Sequence, residues 1–296
     1  MELMKANEYV EMPDKGAIEK AEEYLSSQDF TPVEPRYAAT VMLVRDSRGD
    51  ESDAYLAPAE QGRSKVEVFM LRRAKTMAFV PDAVVFPGGR VDERDSDPRL
   101  PWSGPAPSEW AKRLGCDEQT ARCIVVAAAR EVFEECGVLL AGKSADQVVS
   151  NLTDPLWDTY RVALEAREKS FSEMLIEENL MLRSDLLGLR SNWLTPKFEA
   201  RRYNTFFFAA LLPEGQTPDD RTSEATIADW VDPLWAFDLA QKDQLLVLPP
   251  TRYNLAYIAN AQSAAQFVAE NPKIEQYSIK ASRNEQGEVV FQCALT

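Results

Sequence analysis

Arg130, Glu131, Glu134 and Glu135 fall within six consecutive residues of AAAREVFEECGVLL, Ala127 to Leu140. The surrounding pattern is helical, and at 100° per residue the three glutamates share one face while Val125, Ala129, Val132 and Cys136 gather on another. Like charges three and four residues apart on a helix repel by about a few tenths of a kcal/mol per pair. No lysine lies within a turn to balance them, and the upstream run IVVAAA is too apolar for a freely exposed helix. Carboxylates crowded there call for a cation, and a divalent metal turns their repulsion into chelation. A second cluster with chemical potential is FPGG, Phe86 to Gly89, which directly follows the apolar run DAVV. Glycines after a buried strand let backbone approach a ligand closely, and their carbonyls can serve as oxygen ligands.

Composition narrows the chemistry further. The chain has 296 residues, a formal charge of −15 and no histidine. The missing histidine excludes Ser-His-Asp and Cys-His catalysis, histidine phosphotransfer and histidine-ligated zinc, leaving carboxylates and hard, oxygen-preferring metals for hydrolytic work. The charge argues against a nucleic-acid surface, which needs clustered Lys and Arg. An anionic small ligand would need a bound cation to bring it in. The four cysteines show no CxxC pair and read as reduced. FFFAALL, the longest apolar run, is too short to span a bilayer, and the acidic start lacks the features of a signal peptide, so the expected location is the cytoplasm, with no membrane partner.

The elements that must position these residues follow from local pattern. Residues 1–35 read as a peripheral segment with one short helix at Ala17 to Leu25. YAATVMLVR and KVEVFMLRRA read as strands joined by a long polar loop, and DAVVFPGG as a third strand stopped by Pro and Gly. Residues 90–116, rich in Pro, Asp and Arg, read as an inserted loop with a short helix at Ser108 to Leu114. The main helix then starts at an Asp117 N-cap and runs to Cys136, with Gly137 as its stop. From Asp146 to Leu189 the pattern is helical again; RYNTFFFAALL and ATIADWVD read as strands, with Phe206 to Phe208 as core. TRYNLAYIANAQSAAQFVAE reads as one C-terminal helix, and residues 272–296 as a hairpin-like tail around NEQG. The expectation is one α+β domain over residues 36–271, with an insertion at 90–116 and a helical insertion at about 146–190.

With those residues in view, the chain resembles a Nudix hydrolase. The family signature, G-x5-E-x7-R-E-U-x-E-E-x-G-U with U a bulky aliphatic, has its second half intact in Arg130-Glu131-Val132-Phe133-Glu134-Glu135-Cys136-Gly137-Val138, and its first half begins at Gly89. Arg130 follows Gly89 by 41 positions, where the quoted pattern has 14, so 27 residues stand inserted inside the motif. By direct count the first glutamate of the signature becomes Asp95; Asp92, Glu93 and Glu118 are the other candidates, or no residue fills the place. A box split this way, together with ATVMLVRDS, MAFVPDAVVFPGGRVD and WLTP…RRYNTFFFAALLP, resembles the acyl-CoA and CoA diphosphatase subgroup over about Tyr37 to Thr251.

The resemblance implies a Nudix-type α/β/α sandwich with a mixed sheet, and hydrolysis of a nucleoside diphosphate linked to another group, CoA or acyl-CoA above others. It implies Mg²⁺ or Mn²⁺ held by Glu131, Glu134, Glu135 and the Gly89 carbonyl, with Arg130 keeping the glutamates in register. Glu224, six residues before Trp230, is the candidate general base. Arg72, Arg73 and Arg202 are candidates for binding the phosphates, with Arg201 a similar possibility. Two other outcomes stay open: an ADP-ribose or dinucleotide pyrophosphatase of the same fold, and a catalytically silent Nudix-like binding module. The intact glutamates speak against silence.

Overall fold

The structure, a computed structural model, describes residues 8–10, 12, 16–49, 62–74, 82–219, 221 and 225–296. α1 (Gly16–Ser26) leads into β1 (Arg36–Asp46), β2 (Val66–Arg73), β3 (Val84–Val85), β4 (Gly88–Arg90), β5 (Trp102–Ser103), α2 (Pro107–Leu114) and α3 (Glu118–Cys136). Next come β6 (Ala141–Gly142), α4 (Pro155–Glu165), α5 (Phe171–Glu177), β7 (Met181–Arg183), β8 (Leu187–Leu194), β9 (Tyr203–Leu211) and β10 (Ala225–Val231). The remaining elements are α6 (Pro233–Gln241), α7 (Pro249–Ala259), α8 (Ala264–Ala269), β11 (Gln276–Arg283) and β12 (Val289–Leu295).

Among the described residues, nine strands form one mixed sheet in the order β10-β2-β1-β9-β8-β11-β12, with β3 added to β2 and β4 to β1. β1 and β9 run parallel at its centre, from Arg36 opposite Tyr203 to Val44 opposite Leu211. Side chains alternate across a strand, so these two strands feed both faces. Ala39, Val41, Leu43, Phe206 and Phe208 pack with α3 on one side. Met42, Val44, Phe207 and Ala209 pack with Leu255, Ile258 and Phe267 of α7 and α8 on the other. Helices on both faces of a mixed sheet are the α/β/α sandwich that the sequence leads one to expect.

α3 is the element the site hangs on, and its ends are chemically marked. The Asp117 side chain accepts from Thr120 N at 2.9 Å, and Gly137 ends the helix at φ +67°. Residues 90–116 are not a loose loop. A 3-10 turn at Glu93–Ser96 precedes β5 and α2, and α2 drives Trp110, wholly buried, edge-on against Phe208 at 5.8 Å.

The structure corrects three expectations. DAVVFPGG is two short strands, because the chain crosses at Phe86 and Pro87 from pairing with β2 to pairing with β1. The helical pattern to Leu189 ends at α5, and residues 181–183 and 187–194 are strands. β8 lies between β9 and β11 and is buried on both faces, so it lacks the alternation that marks a strand by sequence. The C-terminal helix is also two, α7 and α8, restarted by an N-cap at Ser263. α6, capped by Asp232, is a further helix that the pattern reading did not find.

Candidate active site

β4 brings the glycine turn under the last two turns of α3. Ala39 of β1 pairs with Gly89, and Thr40 pairs with Gly88. The Gly88 amide donates to Glu135 Oε2 at 2.8 Å. Gly89 lies so close to Glu131 that a Cβ there would overlap the carboxylate, so any larger residue at this position would have to push the Glu131 side chain aside. The glycine turn and the acidic stripe, 42 positions apart at Gly89 and Glu131, therefore meet.

Arg130 organises the carboxylates. Its guanidinium pairs with Glu131 Oε1 at 2.8 Å, with Glu134 Oε2 at 3.2 Å and with Asp95 Oδ1 at 3.2 Å, and it donates to the Arg90 carbonyl at 2.9 Å. Asp95 is the acidic residue that meets the arginine; it is 1% exposed and held by the 3-10 turn, where it also accepts from the Asp92 amide at 3.1 Å. Asp92 meanwhile caps the turn's own start and pairs with Arg94.

The electrostatics are those of too many carboxylates for one cation. Burial raises Glu131 to about 7, with Arg130 opposing and Glu134 adding to the rise. Burial likewise raises Glu134 and Asp95 against the pull of Arg130. Burial works against the charge of Arg130, but Glu131, Asp95 and Glu134 overcome it and hold the guanidinium protonated well above its ordinary value. Three carboxylates, two buried and one half-buried, facing one guanidinium leave a local negative excess. The donors are all oxygen, which suits a hard divalent cation. Among the described residues no three such side chains are grouped so as to hold a metal by themselves; Arg130 stands between Glu131 and Glu134 and engages both. The residues thus fit a divalent cation in donor chemistry and charge, with Arg130 as its competitor for the same oxygens.

Glu131, Glu134, Arg130 and Gly89 line a cleft of about 1200 Å³. Its walls also carry Arg36, Arg73, Arg94, Arg167, Lys169 and Arg201. Of the candidates for phosphate contact, Arg73 lines this cleft, whereas Arg72, one residue away and on the other face of β2, pairs with Asp82 at 2.9 Å. Arg202 borders the cleft, but its guanidinium donates to the carbonyls of Thr195 at 3.2 Å and Val33 at 2.8 Å. Glu135 reaches Gly88, behind the cleft wall. Glu224 lies outside the described residues. Arg94, Arg167 and Lys169 were not singled out by sequence: they sit in turns without periodicity and reach the cleft through tertiary packing.

A glycine turn docked on a glutamate-bearing helix inside an α/β/α sandwich defines a class, the Nudix hydrolases. The sequence profile of the NUDT19 Nudix domain matches residues 108–258, and the chain belongs to that Nudix family. It is accordingly an enzyme, a Nudix diphosphatase. The match begins beyond the glycine turn, so the placement of Gly88, Gly89 and Asp95 rests on the geometry above. The chain is 25% identical over 266 residues to the acyl-coenzyme A diphosphatase NUDT19 of Xenopus laevis, an alignment spanning 75% of this chain and 68% of that protein. It is 28% identical over 195 residues to putative nudix hydrolase 7 of Caenorhabditis elegans, spanning 66% of this chain and 56% of that one. A NUDIX hydrolase from Alicyclobacillus acidocaldarius shares the fold, with a TM-score of 0.64 at 23% identity over 81% of this chain and 98% of that one. Among the described residues no helix is long and apolar enough to cross a membrane.

Proposed function

We propose that this diphosphatase cleaves CoA or an acyl-CoA to 3′,5′-ADP and the corresponding phosphopantetheine, using Mg²⁺ or Mn²⁺. The observation that carries the reading is the cleft itself: buried Glu131 beside Gly89, and half-buried Glu134, within about 1200 Å³ of space bordered by cations. Ligand pockets commonly run to about 300–1,000 Å³, so this one suits a large ligand, and its arginines suit one with several phosphates. The name carried by the Xenopus relative points the same way.

When bound, the divalent cation supplies charge neutralisation on the diphosphate and activation of the attacking water. Glu131 and Glu134 would be its side-chain ligands in this reading, with the Gly89 carbonyl; Glu135, expected from the sequence as a further ligand, instead accepts from the Gly88 amide and steadies the glycine turn. Arg130, anchored by Asp95 and the Arg90 carbonyl, keeps the glutamates facing the cleft. Arg73 receives phosphate oxygens as a charge-assisted donor. Arg72 and Arg202 have structural roles instead. Glu224 takes the proton of the water, an assignment resting on its spacing from Trp230.

The test is a panel of CoA, acyl-CoA, ADP-ribose and NADH, each with Mg²⁺ or Mn²⁺ and with the products identified. Release of 3′,5′-ADP with a phosphopantetheine is the expected result. AMP from ADP-ribose or NADH, with CoA untouched, would replace the substrate assignment.

A further inference from the structure

α3 ends in the turn that carries Glu134, and the last turn of a helix is where fraying sets in. The helix's own closure is limited: Gly137 N donates to Phe133 O at 3.0 Å, and Val138 N to Val132 O at 3.4 Å. Later carbonyls must find partners elsewhere. Arg161 of α4 reaches the Glu134 carbonyl with Nε at 3.3 Å and Nη2 at 3.1 Å. Asp219, from the segment between β9 and β10, donates its amide to the Cys136 carbonyl at 3.0 Å. The two groups are joined, since Arg161 Nη1 lies 2.8 and 2.9 Å from the two Asp219 carboxylate oxygens. Arg161 is 6% exposed, and its Nη2 also donates to the Arg221 carbonyl at 3.1 Å. Arg221 in turn pairs with Asp158 of α4 at 2.6 Å and with Asp219 at 2.8 Å. A Cβ on Gly137 would sit 3.0 Å from Arg161 Nη1 and 3.1 Å from Asp219 Oδ2, so this residue leaves the space in which the pair sits.

We propose that Arg161 and Asp219 are positioning residues that fix where Glu134 stands at the cleft. Glu134 is held at two points: its side chain by Arg130, its carbonyl by Arg161. A buried cation at a helix C-terminus also opposes the negative end of the helix dipole. Glu131, one turn earlier, has no contact with this clamp among the bonds described, so the clamp acts on the last turn selectively. The inference rests on the reading of Glu134 as a ligand in the site.

The experiment uses the full chain with Arg161→Met, Arg161→Lys and Asp219→Asn, and Glu134→Gln as control. Three quantities are read: hydrogen exchange across residues 121–138, the Mn²⁺ dissociation constant by electron paramagnetic resonance, and kcat and KM on CoA. In Arg161→Met, exchange at residues 134–138 rises about tenfold or more while residues 121–130 stay as in the parent. Mn²⁺ affinity and kcat each fall about tenfold, the scale seen when groups supporting metal ligands are removed, and KM stays within about twofold. Arg161→Lys recovers part of both losses, and Asp219→Asn gives an intermediate effect; these two carry the test if Arg161→Met does not fold. A uniform rise in exchange along α3, with Mn²⁺ affinity and kcat unchanged, would overturn the clamp and leave a purely structural tie. Parent-like turnover in Glu134→Gln sinks the ligand reading instead, and the two failures are separable.

Discussion

Residues 90–116, which stand inserted in the motif by count, and the segment around α4 and α5, read from the sequence as a second insertion, both reach the cleft but contribute different groups to it. Residues 90–116, set inside the Nudix motif, are folded into the core: Trp110 is fully buried against Phe208, Trp102 Nε1 donates to the Pro105 carbonyl at 2.8 Å, and Asp95 is sealed against Arg130. The helical segment around α4 and α5 is also anchored in the core, through Phe171, Met174 and Leu175, but it leaves Leu156 and Val162 exposed, and the turn between its helices lends the cleft Arg167 and Lys169. The first therefore supplies the acid that meets Arg130. The second adds two cations to the cleft wall. A motif interrupted by a folded segment keeps its chemistry when that segment returns an acid to the arginine.

This contrast can be broken at several points, beginning with the largest effect. Trp110→Ala should cost about 3–5 kcal/mol, the scale for truncating a large buried aromatic, and appear as a large fall in Tm. A change of only a few tenths would mean that the first insertion is peripheral. Glu134→Gln, at the site both insertions serve, should lower kcat at least about a hundredfold if metal-ion catalysis depends on it. Near-parent turnover would remove it from the ligand set. Arg167→Ala probes the second insertion: an exposed charge contact is worth about 0.2–1 kcal/mol, so KM should rise by up to about fivefold with kcat held. A fall in kcat alone would contradict a role in substrate entry.

The smallest effect lies at the hinge of the first insertion. The Arg94 guanidinium holds the Asp92 carboxylate down at about 2 from its usual 3.8. A depressed carboxylate stabilises the fold above its unfolded pKa, and that contribution fades as pH drops from 3.8 through about 2. Because the pair is largely exposed, solvent screening limits it to about 1 kcal/mol or less. Urea unfolding between those pH values should show the parent losing slightly more stability than Arg94→Ala; equal losses would mean that the pair contributes nothing.

What sequence reveals here is what is local. The bounds of α3 follow from Asp117, Gly137 and an apolar run, all within one helix length, and the structure returns the same helix. The meeting of Gly89 with Glu131 is legible because the glycine-glutamate pattern is itself a statement of contact. The role of Asp95 among four candidate acids is not, since it depends on how a 3-10 turn packs on α3. The strand at 187–194 escapes because burial on both faces erases its period. Arg161 escapes for a deeper reason: it serves a carbonyl 27 positions away, and no side-chain pattern announces a main-chain partner.

Gly89 has a practical corollary. The backbone there is ordinary, and the atoms that crowd it belong to the far end of one side chain, the Glu131 carboxylate that Arg130 holds. Adding one methyl would displace the Glu131 carboxylate while asking little of the strand that carries it. If Glu131 holds the cation as proposed, the smallest edit available in protein chemistry would then silence cleavage without unfolding the chain, leaving a catcher for its uncut ligand.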